Sequence, residues 1–291
     1  MKISEILANN KTTLSFEVFP PKTDDKYSAV ESAVNEIATY RPDFMSVTYG
    51  AGGGANSRFT VAIAENINKI CGVTSLAHLT CVASDKETIK ARLDDFAAAG
   101  IENILALRGD IPADAPDRSK WGYRHANELV SDIVAHGGFC VGGACYPEGH
   151  PESKSLDEDI RNLKLKVEAG CSFLTTQMFF DNSKFYRFLD KTAAAGIDIP
   201  IIAGIMPITS AKQIKRSCEL SGTVMPKVFL DIVERYGDDP DSMKEAGVVY
   251  ASAQIIDLLA HGVKNIHVYV MNKPDVAARF RSNLATILPI H

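Results

Sequence analysis

What this sequence lacks narrows it first. Its six cysteines, at positions 71, 81, 140, 145, 171 and 218, never form a C-x-x-C pair. Several lie in strand-like apolar runs, as in Leu79-Thr80-Cys81 and Gly143-Ala144-Cys145. Buried reduced thiols are therefore expected, rather than disulfides or a zinc site. No apolar run reaches the roughly 18 residues that span a bilayer. Met1-Lys2-Ile3-Ser4-Glu5 shows neither the basic nor the apolar region of a secretion signal. The expectation is a cytoplasmic protein without a membrane partner. Positive charge is not in excess, the formal net charge being −5, which argues against nucleic acid as a partner. Blocks of like charge are absent, and with them any charged tail. His78, His150 and His267 share no helix-spaced H-x-x-x-H pattern, so no metal is expected and hydrogen bonding or packing is their simpler role.

What is present is a large supply of core. Hydrophobic residues make up 46% of the 291, and barrels of roughly 250 residues often form one domain. No linker or shift in composition divides the chain, so residues 1–291 are read as a single catalytic domain. Short apolar, β-branched runs recur at about 14–19, 44–49, 75–81, 103–107, 139–146, 173–179, 199–206 and 265–271. Most are apolar on consecutive positions, as parallel strands covered on both faces are. Amphipathic stretches lie between them, for example 86–99, 156–169 and 183–195. These three end alike, in Ala99-Gly100, Ala169-Gly170 and Ala195-Gly196, with glycine where a helix stops. Eight such units predict an α/β fold, a single (β/α)8 TIM-type barrel; an open doubly wound sheet is the competitor. The long connection 208–264 leaves room for extra helices before the last strand, and the Pro-rich stretch 109–119 reads as a loop after strand four.

In such a barrel the chemistry collects where strands end, and the polar residues here fall at those ends. Glu17 lies inside Ser15-Phe16-Glu17-Val18-Phe19. Thr48-Tyr49 closes strand two, His78-Leu79-Thr80 strand three and Arg108-Gly109-Asp110 strand four. Tyr146 leads into Pro147-Glu148-Gly149-His150, Thr175-Thr176-Gln177 closes strand six, and Asn272-Lys273 follows strand eight. A carboxylate among Phe16, Val18 and Phe19 is expected to be desolvated, with its pKa raised and its proton kept near neutrality. An inward Glu paired with a nearby base is the competing reading. Asp159, Asn162 and Lys166 share one helix face by their i, i+3, i+7 spacing. Gly50-Ala51-Gly52-Gly53-Gly54 follows a strand, but position 55 is Ala and no acidic residue closes a second strand at the required distance. It reads as a flexible loop, not a dinucleotide fingerprint.

A set of phrases now falls in order: SFEVFPP (15–21), SVTYG (46–50), AHLTC (77–81), ALRGD (106–110), YPEGHPE (146–152), TQMFFD (176–181) and GIMP (204–207). In this order, along essentially the whole length, the chain resembles the methylenetetrahydrofolate reductases in their short bacterial form. The resemblance implies a flavoprotein of one-carbon metabolism, serving methionine biosynthesis. Its rim would bind FAD without a Rossmann motif. Hydride would pass from NAD(P)H to flavin and then to 5,10-methylenetetrahydrofolate, in ping-pong order at one flavin face. By the same resemblance Glu17 is the general acid that opens the methylene bridge, and Asp110 lies between flavin and pterin. The implied FAD contacts are Thr48, Tyr49, Ala51, His78, Arg108, Gly109, Asp110, Ala126, Tyr146, His150, Asp159, Asn162 and Lys166. Asp110, Gln177, Gln213 and Lys273 are the implied substrate contacts. A homo-oligomer is implied as well, and control by a C-terminal regulatory domain is not, since the sequence ends soon after strand eight. Lys273 departs from an Arg common in the family, Leu165 from a basic residue, Ala203 from a Pro, and Ser217 lies near a usual aromatic. Two rival readings stand beside this one. The first is a flavin subunit fed electrons by a partner protein, the second a pterin-binding barrel without redox chemistry.

Overall fold

The computed structural model describes residues 1–9, 11–49, 57–111 and 121–288, with the backbone alone at 57, 215, 216, 219 and 220. Eight parallel strands close on themselves in sequence order. They are β1 (Thr13–Val18), β2 (Phe44–Val47), β3 (Thr74–Thr80), β4 (Asn103–Leu107), β5 (Cys140–Cys145), β6 (Phe173–Thr176), β7 (Ile201–Ile205) and β8 (Asn265–Val268). This is the (β/α)8 barrel expected from the recurring runs. A short α1 (Ile3–Ala8) precedes β1, and α2 (Tyr27–Thr39), α3 (Ser57–Lys69), α4 (Lys86–Ala98), α5 (Ala126–His136), α6 (Leu156–Glu168) and α7 (Asn182–Ala194) follow strands one to six. Three helices, α8 (Ala211–Ser221), α9 (Lys227–Tyr236) and α10 (Pro240–Ala260), fill the long connection before β8, and α11 (Pro274–Asn283) follows it. Caps fix several ends: Asp85 accepts the Thr88 amide at 2.7 Å and Ser155 that of Glu158 at 3.2 Å, satisfying amides that the helices leave over. None of these helices is long and apolar enough to cross a membrane.

Side chains alternate across each strand, and here the two sides do different work. Leu14, Phe16 and Val18 of β1, with Met45, Val47, Ala77, Leu79, Ile104 and Ala106, join the main core beneath the helices. The opposite parity faces the barrel axis. Near the strand starts it is apolar: Phe44, Leu76, Leu105, Cys140, Phe173 and Ile202 form one cluster, closed by Ile3, Ile6 and Leu7 of α1. The buried Asn103 holds this floor in place, accepting the Ile3 amide at 2.8 Å and donating to the carbonyls of Met1 and Ser75, each at 3.1 Å. Two residues further along the same inward parity the chemistry changes, from Phe44 to Ser46, Leu76 to His78 and Phe173 to Thr175. Glu17, opposite Ser46 in the strand register, belongs to this polar layer.

Some strands stop earlier than their apolar runs. β6 ends at Thr176 rather than 179 and β8 at Val268 rather than 271. The residues beyond them are apolar for another reason. Met178, Phe180 and Tyr269 pack with Ile208, Met225, Phe229 and Met243 in a separate cluster under the extra helices. The described cysteines are free, and burial pushes the thiols of Cys81 and Cys171 up to about 12.

Candidate active site

Glu17 lies in the barrel mouth with its side chain 17% exposed. Its Oε2 accepts from Ser46 Oγ at 3.3 Å and stands 3.5 Å from His78 Nε2 and 3.8 Å from His267 Nε2. Burial raises the pKa of this carboxyl, but His267, His78 and Ser46 together outweigh it, and the group is held below its ordinary range. The sequence-based expectation of a raised pKa is thus corrected. The apolar neighbours in sequence, Phe16 and Val18, point the other way into the main core, while basic and hydroxyl groups from β2, β3 and β8 surround the carboxyl. His78 moves down from the ordinary histidine value, chiefly by burial, with Glu17 opposing and His267 adding to the fall.

His267 is the residue that sequence reasoning left as packing or hydrogen bonding. It is 2% exposed, stacks on Phe44 at 5.9 Å and meets the Tyr269 ring edge-on at 5.3 Å. Ser15 Oγ lies 2.7 Å from its Nδ1, and Ser46 Oγ 3.2 Å from its Nε2. Ser15 also donates to the Ile266 carbonyl at 3.2 Å, which leaves Nδ1 to donate to Ser15. Two proton arrangements then satisfy Ser46. If Nε2 carries a proton, Ser46 accepts it and donates to a charged Glu17. If Glu17 carries the proton, Ser46 donates to Nε2. One turn of a hydroxyl separates a charged pair from a neutral one. The signal available in the sequence was the alternation of Ser15 with Glu17 and of His267 with Tyr269.

A second group lines the rim from β4 to α6. Arg108 grips Glu152 with its two terminal guanidinium nitrogens, at 2.6 and 2.8 Å. The Tyr146 ring meets His150 edge-on at 4.7 Å, and burial pushes its hydroxyl up to about 12. Asp159 accepts the His150 amide at 3.2 Å and Ser153 Oγ at 3.1 Å, pinning the loop after β5. Lys166 runs over Gly143, where an added Cβ would come within 2.7 Å of its Cδ. Its ammonium donates to the Ala144 carbonyl at 2.6 Å. Burial lowers its pKa, against Cys171, Cys145 and Asp159. Asn162 is exposed on α6, and Ala126 opens α5.

On the other side of the mouth, Gln213 and Lys273 meet through Thr209. Lys273 Nζ donates to Thr209 Oγ1 at 2.8 Å, and Gln213 Oε1 accepts the Thr209 amide at 2.9 Å. Gln177 Oε1 accepts the Met178 amide at 2.9 Å, while the main-chain N–H of Gln177 donates to Cys145 O at 2.7 Å. Asp110 is exposed just past β4, and Gly109 has φ +86°. Thr48 closes on β1, its amide donating to Val18 O at 3.0 Å, and Tyr49 is half-buried beside it. Ala51 and the rest of the glycine loop lie outside the described residues, as does most of the Pro-rich loop. No group of three or more His, Cys, Asp or Glu among the described residues is arranged to hold a metal.

The family model for methylenetetrahydrofolate reductase matches residues 2–285. The chain belongs to that family. Within it, the chain is 35% identical to the 5,10-methylenetetrahydrofolate reductase of Pectobacterium carotovorum over 92% of its own length and 88% of the relative's. To the Escherichia coli protein of the same name it is 34% identical, over 91% and 88%. Methylenetetrahydrofolate reductase 1 of Schizosaccharomyces pombe is 39% identical over 94% of this chain but 46% of its own. Among solved structures, a Clostridium thermocellum protein that binds two copies of 5-methyl-5,6,7,8-tetrahydrofolic acid superposes with a TM-score of 0.67, over 98% of this chain and 100% of that one. At 15% identity that likeness supports the reductase family's barrel and nothing finer.

Proposed function

We propose that the chain reduces 5,10-methylenetetrahydrofolate to 5-methyltetrahydrofolate, with FAD held at the rim and NAD(P)H as electron donor in ping-pong order. The observation that carries this reading is Glu17, hydrogen-bonded to Ser46 and flanked by two histidines at the mouth of a barrel of this family. The residues present suit FAD. Lys166 brings a buried ammonium whose one hydrogen bond among the described residues is to a carbonyl. Arg108 already forks around a carboxylate, the geometry that also takes a phosphate. Tyr146, His150 and Tyr49 offer ring faces and edges beside these cations, and His78 Nε2 has no hydrogen-bond partner among the described residues. When bound, FAD supplies the hydride relay between nicotinamide and folate.

The chain's own residues do the rest. Glu17 delivers a proton to N10 of the folate, so the C–N10 bond of the methylene bridge breaks and its electron pair stays on N10. The N5 iminium that results is what a hydride can reduce. A neutral pterin seated over Glu17 removes its remaining water and favours the arrangement in which the carboxyl holds the proton. Asp110 stabilises the developing cation from the rim, and Gln177 orients the pterin by its amide. Lys273, Thr209 and Gln213 receive the carboxylate end, Lys273 as a point charge rather than a fork.

An anaerobic absorbance titration of the purified, FAD-supplemented protein tests this. Bleaching by NAD(P)H and recovery on adding methylenetetrahydrofolate supports both halves. A protein that takes up no FAD overturns the reading, and a flavin that NAD(P)H leaves oxidised removes the donor and points to a partner protein.

A further inference from the structure

We propose that Tyr269 is a positioning residue for the folate half-reaction, its ring pinned across the barrel mouth so that His267 keeps the orientation that serves Glu17. The inference rests on the reading of Glu17 as the acid. Tyr269 lies just past β8, on the same parity as His267, and its amide still pairs with β7, donating to Ile205 O at 3.0 Å. The side chain reaches further, over β7 to β6, where its hydroxyl donates to the Thr176 carbonyl at 2.5 Å. Gly204 opens that path. It is the register partner of His267 on β7. An added Cβ there would stand 2.9 Å from Tyr269 Cε2, and closer still to its hydroxyl and to Thr176 O. In a close-packed interior any side chain at 204 would displace the ring. Thr176 holds both neighbours, since its Oγ1 accepts the Gly204 amide at 2.8 Å.

What the pinned ring touches gives it its role. It meets His267 edge-on, 5.3 Å between centroids and 88° between planes, so the tether fixes a wall against which the imidazole rests. The same ring lines a small cleft with Thr209, Gln213 and Lys273, and its tether ends on the carbonyl immediately before Gln177. One side chain thus borders both the proton relay and the cleft given to the carboxylate end of the folate. The hydroxyl transfers no proton itself. Its one hydrogen goes to Thr176 O, and burial, then Glu17, Cys145 and Tyr146, raise its pKa well above the ordinary value. Packing is the competing account, because Tyr269 also joins Met178, Phe180 and Met243 under the extra helices. A phenylalanine would serve packing as well. The hydroxyl bond and the glycine that clears its path are what packing leaves unexplained.

Tyr269→Phe separates the two accounts, keeping the ring and removing the tether. Glu17 is faced by Ser46 from β2, His78 from β3, and His267 and Tyr269 at β8. Burial raises its carboxyl, and His267 is first among the groups that lower it. With His267 loosened, the pH profile of the folate half-reaction should move upward. Its rate near neutrality should fall about ten- to a hundredfold, with KM and flavin reduction by NAD(P)H little changed. A second measurement needs no substrate: NMR of the histidine ring nitrogens in the unliganded protein, His267 being assigned by its loss in His267→Asn. The His267 signals should shift in Tyr269→Phe while those of the exposed His261 stay in place. An unmoved pH profile in Tyr269→Phe overturns the positioning role, and unmoved His267 signals overturn the tether on which it depends. A wild-type protein that reduces no folate would count against the proposed reaction, the ring signals still deciding whether Tyr269 holds His267.

Discussion

The side-chain amide of Asn272 holds Phe19 at both main-chain ends, accepting from its N–H at 2.9 Å and donating to its carbonyl at 2.8 Å. Phe19 lies two residues past Glu17, and Asn272 immediately precedes Lys273, so one side chain ties the mouth of β1 to that of β8. Met271 and Asn272 both have left-handed backbones, at φ 54° and 53°. That conformation costs most L-residues about 1 kcal/mol or more, and Asn tolerates it better than most.

Two substitutions separate the clamp from the strain. Asn272→Gly loses the two hydrogen bonds, and Asn272→Ala loses them and adds backbone cost. Alanine should therefore lower the melting temperature further than glycine does. Both should reduce kcat/KM for the folate by about tenfold, the equivalent of ~1.4 kcal/mol, and leave NAD(P)H oxidation with an artificial acceptor unchanged. Wild-type folate kinetics in Asn272→Gly would remove the clamp from the reaction.

Glu17→Gln keeps the shape of the acid and deletes its proton. Folate reduction should fall by roughly 10²–10⁴, the usual worth of a positioned acid. Flavin reduction by NAD(P)H, followed in a stopped-flow cell, should stay within a few-fold of wild type. Equal loss in both half-reactions would refute the role.

His267→Asn is expected to act through Glu17 rather than on substrate. With its strongest basic neighbour gone, the carboxyl should titrate higher, and the pH profile of the folate half-reaction should move up with it. The rate near neutrality should drop about ten- to a hundredfold, because Ser46 no longer connects Glu17 to a second proton store. A lower rate with an unmoved profile would mean that His267 merely fills space.

Lys166→Met tests the cation beneath the rim. Burial holds the amine below its ordinary pKa, so the folded chain carries a charge it disfavours. The apo-protein should gain stability, about 1 kcal/mol by analogy with buried charges replaced by apolar residues. FAD retention, read by equilibrium dialysis, should fall at least tenfold. A variant that keeps FAD as tightly as wild type would take Lys166 out of the flavin site.

His78 gives the unliganded protein a pH dependence of known sign. Its folded pKa lies below that of the unfolded chain, about 6.5. As pH falls through that value the unfolded chain binds a proton that the fold refuses, and stability declines. Glu17, also lowered, adds a further loss only below roughly pH 4.3. Urea midpoints between pH 7 and 5 should therefore slope downward, and His78→Gln should flatten the slope.

Most of the barrel was legible because its signals are local. The outward parity of the strands is apolar apart from Ser75 and Thr176, and helix ends carry their caps and glycines. Rim membership followed from position along the strand. Two things did not follow. Glu17 reads as desolvated from its neighbours in sequence, whereas its environment comes from Ser46, His78 and His267, 29 to 250 positions away. Arg108 reads as a rim residue by its position, yet nothing nearby in sequence shows that Glu152 occupies its fork. Both depend on which distant strand or loop lies opposite, and closure of the barrel decides that, not periodicity.

Ile3, Ile6 and Leu7 sit across the starts of the strands, and among the described residues this leaves the barrel one doorway. Protons, like folate, then have to arrive and depart on the side where Glu17 opens. While a bound molecule stands in that doorway, Glu17, Ser46, His267 and Ser15 must work from the charge they already hold. With Glu17 as the acid, as proposed, it would be recharged between visits, and the leaving product would set when.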